Sequence, residues 1–165
     1  STCSHLVGIS QNQIVKSMKS FKGVEHRLEY VRTINETDYI NDSKATNIDS
    51  VIVAINTYKR PIVLILGGFN KGANFRLLLP HIKSSHVRDI VSYGDAGGHI
   101  NTDLGDAVRS VQVTDLSSAV KKAQLMAAPG DLVLLSPGCA SYDEFSNFEE
   151  RGNHFKSIIK NLAAS

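Results

Sequence analysis

PIVLILGGFNKG, residues 61–72, decides the fold. From Pro61 to Leu66 the run is apolar without alternation. A short continuous apolar run reads as a strand buried on both faces, the state of a strand in a parallel sheet covered by helices. Gly67 and Gly68 follow at once, as at a tight strand-to-helix turn. Working outward, the same alternation continues in both directions. Upstream, NIDSVIVAINTY (Asn47 to Tyr58) has helical spacing with Val51, Ile52 and Ile55 inward. Downstream, RLLLPHI (Arg76 to Ile82) reads as a helix that Pro80, an interior proline, should kink or shorten. VRDIVSYG (Val87 to Gly94) is the next strand, and residues 96–109 are a helix or loop broken by Gly97, Gly98 and Gly105. Asp115 caps LSSAVKKAQLMA as a helix, Pro129 and Gly130 make a turn, and DLVLLS (Asp131 to Ser136) is a strand. NFEERGNHFKSIIKNL (Asn147 to Leu162) closes the chain as an amphipathic helix, with Phe148, Phe155, Ile158, Ile159 and Leu162 as its buried stripe.

The region before this alternation differs. RLEYVRTI (Arg27 to Ile34) has period two, with Leu28, Tyr30 and Arg32 on one side and Val31 on the other. A turn at Asn35 to Thr37 and a strand at Asp38 to Asn41 complete a hairpin. SQNQIVKSMK (10–19) reads as a short helix capped by Ser10, with Ile14, Val15 and Met18 on one side. The predicted class is therefore α/β: a mostly parallel, Rossmann-like sheet with helices on both faces and an N-terminal antiparallel hairpin.

Bulk properties narrow the function. The chain has 165 residues, 42% apolar and 21% charged, enough for one domain with its own core. Lys and Arg total 18 against 16 for Asp and Glu, a net charge of +2 without a basic run, which argues against nucleic acid or a membrane surface as partner. Cys3 and Cys139 have no CxxC neighbour, and STCSHLVGIS lacks the pattern of a signal peptide, so a cytoplasmic protein is expected. The histidines His5, His26, His81, His86, His99 and His154 show no metal-ligand spacing, and no metal ligand is assigned.

In parallel α/β sheets ligands bind beyond the carboxyl ends of the strands. That rule selects three loops, and they hold the unusual polar residues. NDSKATN (Asn41 to Asn47) sets Lys44 and Thr46 before a helix N-terminus, which favours anions. Capping by Asp42, Ser43 or Thr46 is the plainer reading, but it leaves Lys44, which opposes the helix dipole, unexplained. GGFNKG (Gly67 to Gly72) is either an ordinary tight turn or a close-approach loop with Lys71 as a point charge for a carboxylate or phosphate; it does not fit the Walker pattern. SPGCASYDEFSNFEERG (Ser136 to Gly152) breaks the strand and opens the last helix. Cys139 reads as a small buried thiol rather than a nucleophile. Ser141 has no assured histidine partner for a hydrolytic triad, and Asp143 with Glu144 reads as a surface acidic pair.

The ordered set of His26 and Arg27, NDSKATN, LGGFNKG (Leu66 to Gly72) and LSPGCASYDEFSNFEERGNHF (Leu135 to Phe155) resembles the Mur-type peptidoglycan amide ligases. It is similar to the C-terminal domain of the branch that joins D-glutamate to UDP-N-acetylmuramoyl-L-alanine. The resemblance spans the chain from about Gly23 onward, with residues 1–22 like the lead-in from a central domain. It implies an ATP-dependent ligase in which the muramoyl-alanine carboxylate becomes an acyl phosphate that the D-glutamate amine attacks. By motif, Lys71 and Thr46 would hold the α-carboxylate of D-glutamate, and Ser141 with the Phe148 backbone its side-chain carboxylate. Arg27 and Asp42 would reach the ATP ribose or phosphates, and Lys44, the catalytic residue of the set, would lie near the phosphates. ATP and magnesium are the implied cofactors, with the metal ligands and the GxxGKT phosphate loop in a central domain outside these residues. The domain alone is then expected to be inactive and to bind its ligands weakly. One departure is Asn70, which stands where the family's GGxDKG pattern has an acid. Two other classes predict different features. A free-standing Rossmann-type nucleotide module would require GxGxxG after the first parallel strand, which is missing. A non-catalytic partner-binding domain would present a contiguous apolar patch away from the loops.

Overall fold

The computed structural model describes residues 9–20 and 23–162. Cys3 and His5 lie outside them, as does the side chain of Met18. Helix α1 (Gln11–Ser20) begins with a capping box: Ser10 Oγ accepts from the Gln13 amide at 3.4 Å, and Gln13 Oε1 accepts from the Ser10 amide at 3.0 Å. The hairpin follows as β1 (Glu29–Ile34) and β2 (Thr37–Asn41), turned by Asn35 and Glu36, both left-handed at φ 48 and 60. Two positive φ angles make the turn follow the right-handed twist of the strands. A register shift between Tyr30 and Arg32 breaks the expected alternation, so Val31 and Ile34 pack on the same side of the sheet.

The remaining elements are α2 (Ile48–Thr57), β3 (Ile62–Gly67), α3 (Leu79–Ser84), β4 (Val87–Tyr93), α4 (Gly97–Leu104), β5 (Arg109–Gln112), α5 (Leu116–Met126), β6 (Leu132–Gly138) and α6 (Phe148–Asn161). The six strands lie in the order β1-β2-β6-β3-β4-β5, parallel except for the β1–β2 pair. Strand β3 is thus flanked on both sides and every residue in it is buried. Ile62, Leu64 and Leu66 face a core closed by α2, α3 and α4, while Val63 and Ile65 face one closed by α5 and α6. The unbroken apolar run is the consequence of serving two cores at once.

Two expectations need correction. Pro80 does not kink a helix interior. A 3-10 turn (Phe75–Leu78) precedes it, and Pro80 sits in the first turn of α3, where its missing N–H costs nothing. Residues 96–109 contain not only α4 and a 3-10 turn (Gly105–Ala107) but also the start of β5, a strand that the sequence did not announce. RSVQ lies at the sheet edge, half-exposed, with little apolar signal. An ion pair from Arg109 to the buried Asp89 helps to fasten it to β4.

Asp89 belongs to a charged cluster at the amino ends of the strands. Arg88 bridges Asp89 at 2.8 Å and Asp131 at 2.7 Å, both acids being buried. Burial alone would raise the Asp89 pKa, but hydrogen bonds from Arg109 and Arg88 outweigh it and hold the carboxyl below its ordinary value. A carboxyl whose pKa is lower folded than unfolded stabilises the fold above the unfolded value, and that stabilisation is lost as pH falls through the folded value. Asp89→Asn should therefore cost on the order of 1–3 kcal/mol at pH 7, the scale of hydrogen bonds to charged groups. The gap from wild type should close as the pH falls well below about 4, the ordinary Asp value. Urea unfolding midpoints across that range check it. Asp42 carries the opposite sign: burial raises its pKa, so its ionisation costs stability as pH rises through the raised value.

Candidate functional site

Strands β2, β6 and β3 end side by side, and the loops that follow them build the site. In the first loop, Asp42 is almost wholly buried. Its Oδ1 accepts from the Leu28 amide at 3.2 Å and its Oδ2 from Ser136 Oγ at 2.8 Å. Burial pushes its pKa up, against the pull of Ser136, the Leu28 amide and Arg27. Ser43 is buried as well and donates from Oγ to the Phe148 carbonyl at 2.8 Å. The cap of α2 is neither of these nor Thr46; it is Asn47, whose Oδ1 accepts from the Ser50 amide at 2.9 Å. The loop thus does cap α2, through its last residue rather than through Asp42, Ser43 or Thr46, and Lys44 and Thr46 stand exposed at the head of the helix.

In the second loop, Gly68 has φ +120 and a Cβ there would lie 2.3 Å from the Ala140 carbonyl oxygen, so no other residue fits. The close approach is stitched by the Phe69 amide, which donates to the Ala140 oxygen at 2.9 Å. Asn70 Oδ1 accepts from the amides of Gly72 (2.9 Å) and Ala73 (3.1 Å). Its oxygen thus shapes the turn, a task open equally to the acid expected at that position. In the third loop, Ser141 is buried and its carbonyl accepts from Phe145 at 2.8 Å, turning the chain toward α6. Asn147 caps α6 by accepting from the Glu150 amide at 2.7 Å. Cys139 is 2% exposed, and burial pushes its thiol up to about 12, which leaves no thiolate for nucleophilic work.

Arg151 ties these loops together, and the sequence reading gave it no role. It is 0% exposed, on α6. Its Nε donates to Ser43 Oγ at 2.9 Å, its Nη2 to the carbonyls of Ser43 (2.8 Å) and Cys139 (3.0 Å), and its Nη1 to the Ala140 carbonyl at 3.1 Å. No described acid pairs with it. The signal that marks it is helical: residue 151 falls on the face of Phe148 and Phe155, where a charge is out of place. His26 is a second residue without an assigned role. It is buried with φ 62 and accepts at Nδ1 from Asn41 Nδ2 at 2.9 Å. It fits only because α6 has Gly152 beside it; a Cβ there would lie 2.2 Å from His26 Nδ1.

Two clefts result. The first, about 240 Å³, is lined by Arg27, Leu28, Asp42, Lys44, Asp49 and Ser50 among others. The second, about 230 Å³, brings Thr46 and Lys71 together over Gly138, Cys139 and Ala140. Asn47 lines both. Ser141 and Phe148 line neither, although Lys44 Nζ lies 5.0 Å from the centroid of the Phe148 ring. Glu25, His26 and Glu29 offer ligand atoms within 4.8 Å of one another, but the Lys156 ammonium pairs with both carboxylates and takes the place of a cation. Glu144, expected as a plain surface acid, accepts from the Leu116 amide at 3.0 Å at the head of α5.

A mostly parallel sheet covered on both faces, ending in loops that set cationic and polar side chains around two clefts, defines an α/β domain of Rossmann-like layout. The family model of the Mur ligase, glutamate ligase domain matches residues 26–139, and the chain belongs to that family. UDP-N-acetylmuramoylalanine–D-glutamate ligase from Chloroherpeton thalassium is 44% identical over 156 residues, 94% of this chain and 33% of the relative. The chain thus spans about a third of the length of the curated relatives it matches. Among solved structures, UDP-N-acetylmuramate-alanine ligase MurC from Thermotoga maritima aligns with 96% of this chain and 35% of its own, at TM-score 0.69 and 14% identity. MurF ligase from the same organism, solved in complex with ADP, aligns with 98% of this chain and 37% of its own, at TM-score 0.59 and 12% identity. Both share the fold. Among the described residues no helix is long and apolar enough to cross a membrane.

Proposed function

We propose that this chain is the amino-acid-bearing third of an ATP-dependent ligase that joins D-glutamate to UDP-N-acetylmuramoyl-L-alanine in the cytoplasm. In this reading residues 23–165 form the C-terminal domain and residues 1–22 lead in from a central domain. The observation that carries it is the second cleft. Thr46 and Lys71, from separate loops, converge over a floor of small residues, and a Lys with a hydroxyl is an apt pair for a carboxylate. Ser141 and the Phe148 amide would take the side-chain carboxylate. As the first helical residue of α6, Phe148 has an N–H without an intrahelical acceptor. The first cleft, with Arg27, Asp42 and Lys44, faces the nucleotide: Arg27 and Asp42 the ribose or phosphates, Lys44 the phosphates.

The reaction has two steps. The acceptor carboxylate attacks the γ-phosphorus of ATP, displacing ADP and forming an acyl phosphate. The neutral D-glutamate amine then attacks the acyl carbon, phosphate leaves, the amine nitrogen loses a proton and an amide remains. Magnesium, expected with ATP, would be held outside this chain. Since each cleft supplies one half of a shared site, the domain alone should release no phosphate. The test is phosphate release by the full-length ligase given ATP, UDP-N-acetylmuramoyl-L-alanine and one amino acid at a time. D-glutamate should support turnover; L-glutamate and D-alanine, tested at the same concentration, should not. Turnover with D-alanine equal to that with D-glutamate would overturn the reading, since a monocarboxylate leaves the Ser141 and Phe148 subsite empty.

A further inference from the structure

The two exposed lysines of the clefts share an unusual environment. Lys71 Nζ lies 5.1 Å from the centroid of the Tyr142 ring, and Lys44 Nζ lies 5.0 Å from that of Phe148. Neither forms a salt bridge with a described acid, whereas Lys156 pairs with two. Tyr142 is itself 62% exposed and forms an edge-on pair with Phe69, 39% exposed, at 6.5 Å between ring centroids. The other exposed large apolar side chains among the described residues come from different segments of the chain. These two rings sit on loops pinned to each other where the Phe69 amide meets the Ala140 carbonyl. Their pairing at the rim of the second cleft therefore has a fixed backbone frame.

We infer that Tyr142 is a positioning residue for Lys71, its ring holding the ammonium over the second cleft without neutralising it. An acid in that place would hold the lysine more firmly, but it would compete with any incoming carboxylate for the same charge. A ring face attracts the cation through its quadrupole and leaves its formal charge available. It also restricts a long side chain that would otherwise lose rotamer freedom on ordering, so part of that cost is met before a ligand arrives. Phe69 braces the Tyr142 ring edge-on and keeps it over the lysine. Asn70, spent on the turn amides, leaves the task to the ring.

The inference rests on the reading of Lys71 as a carboxylate holder, and the experiment separates the two. In the full-length ligase, the KM for D-glutamate and kcat are measured for Tyr142→Leu, Tyr142→Phe, Lys71→Met and the double variant Tyr142→Leu with Lys71→Met. Tyr142→Leu should raise the D-glutamate KM about two- to fivefold with kcat little changed, the range an exposed cation–π contact carries. Tyr142→Phe, which keeps the ring, should restore it. In the Lys71→Met background, Tyr142→Leu should add nothing. If Lys71→Met raises KM while Tyr142→Leu does not, or if Tyr142→Phe fails as badly as Tyr142→Leu, the inference falls and the carboxylate reading stands. If Lys71→Met leaves KM unmoved, both fall.

Discussion

Arg151→Met should lower the unfolding free energy of this chain by about 2–4 kcal/mol, because buried carbonyls stripped of their donors cost about 1–3 kcal/mol each. The carbonyls of Ser43 and Cys139 lose the Arg151 donor outright and the Ser43 hydroxyl loses it too, whereas the Ala140 carbonyl keeps the Phe69 amide. The removal also recovers the cost of burying a cation that pairs with no described acid, which keeps the net below the sum of its parts. A thermal midpoint lower by about 5–15 °C should accompany it, at roughly 2–4 °C per kcal/mol for a chain of this size. Arg151→Lys keeps the charge but not the planar fork, and should lose most of the same stability. Urea unfolding of the three proteins decides this. A loss of under about 0.5 kcal/mol for Arg151→Met, the level of an ordinary surface change, would mean that Arg151 does not join the loops energetically. The same contacts fix the floor of the second cleft, so a ligase carrying either variant should also lose turnover.

The second large effect belongs to Lys71. Lys71→Ala in the full-length ligase should raise the D-glutamate KM about 10- to 150-fold, corresponding to about 1.5–3 kcal/mol for a charge-assisted hydrogen bond. The domain itself should remain folded. Lys71 is exposed, its ammonium pairs with no described acid, and the turn it belongs to is built by Asn70 rather than by Lys71. A thermal midpoint unchanged from wild type, with KM raised, is the combination that assigns the effect to ligand rather than fold.

Much of the architecture was legible because its signals are local. The PIVLIL run announces a strand buried on both faces, and Asp115 and the Asn-Glu turn of the hairpin declare their elements by residue type. What was not legible depends on partners distant in sequence. Strand β5 has no apolar alternation of its own and is held by pairing with β4 and by Asp89. Pro80 looked like a helix breaker because the preceding turn takes the 3-10 form, which periodicity does not distinguish from the start of an α-helix. At the site, the loop residues Thr46, Lys71, Arg27, Asp42 and Lys44 were all singled out by motif, and the fold sorts them into two clefts. Arg151 and Tyr142 were within quoted motifs but had no stated role. Burial of a charge and the stacking of a lysine on a ring are properties of the folded chain, not of spacing.

The proposed ligase divides its labour between the clefts, with the amino acid in the second and the nucleotide in the first. Paired KM measurements on the full-length ligase test it most directly, varying D-glutamate and then ATP for Lys71→Ala and Arg27→Ala. Lys71→Ala should raise the KM for D-glutamate and leave that for ATP within about twofold, well inside the tenfold that 1.4 kcal/mol represents. Arg27→Ala should do the reverse. A Lys71→Ala ligase with a raised KM for ATP and an unchanged one for D-glutamate would contradict the account.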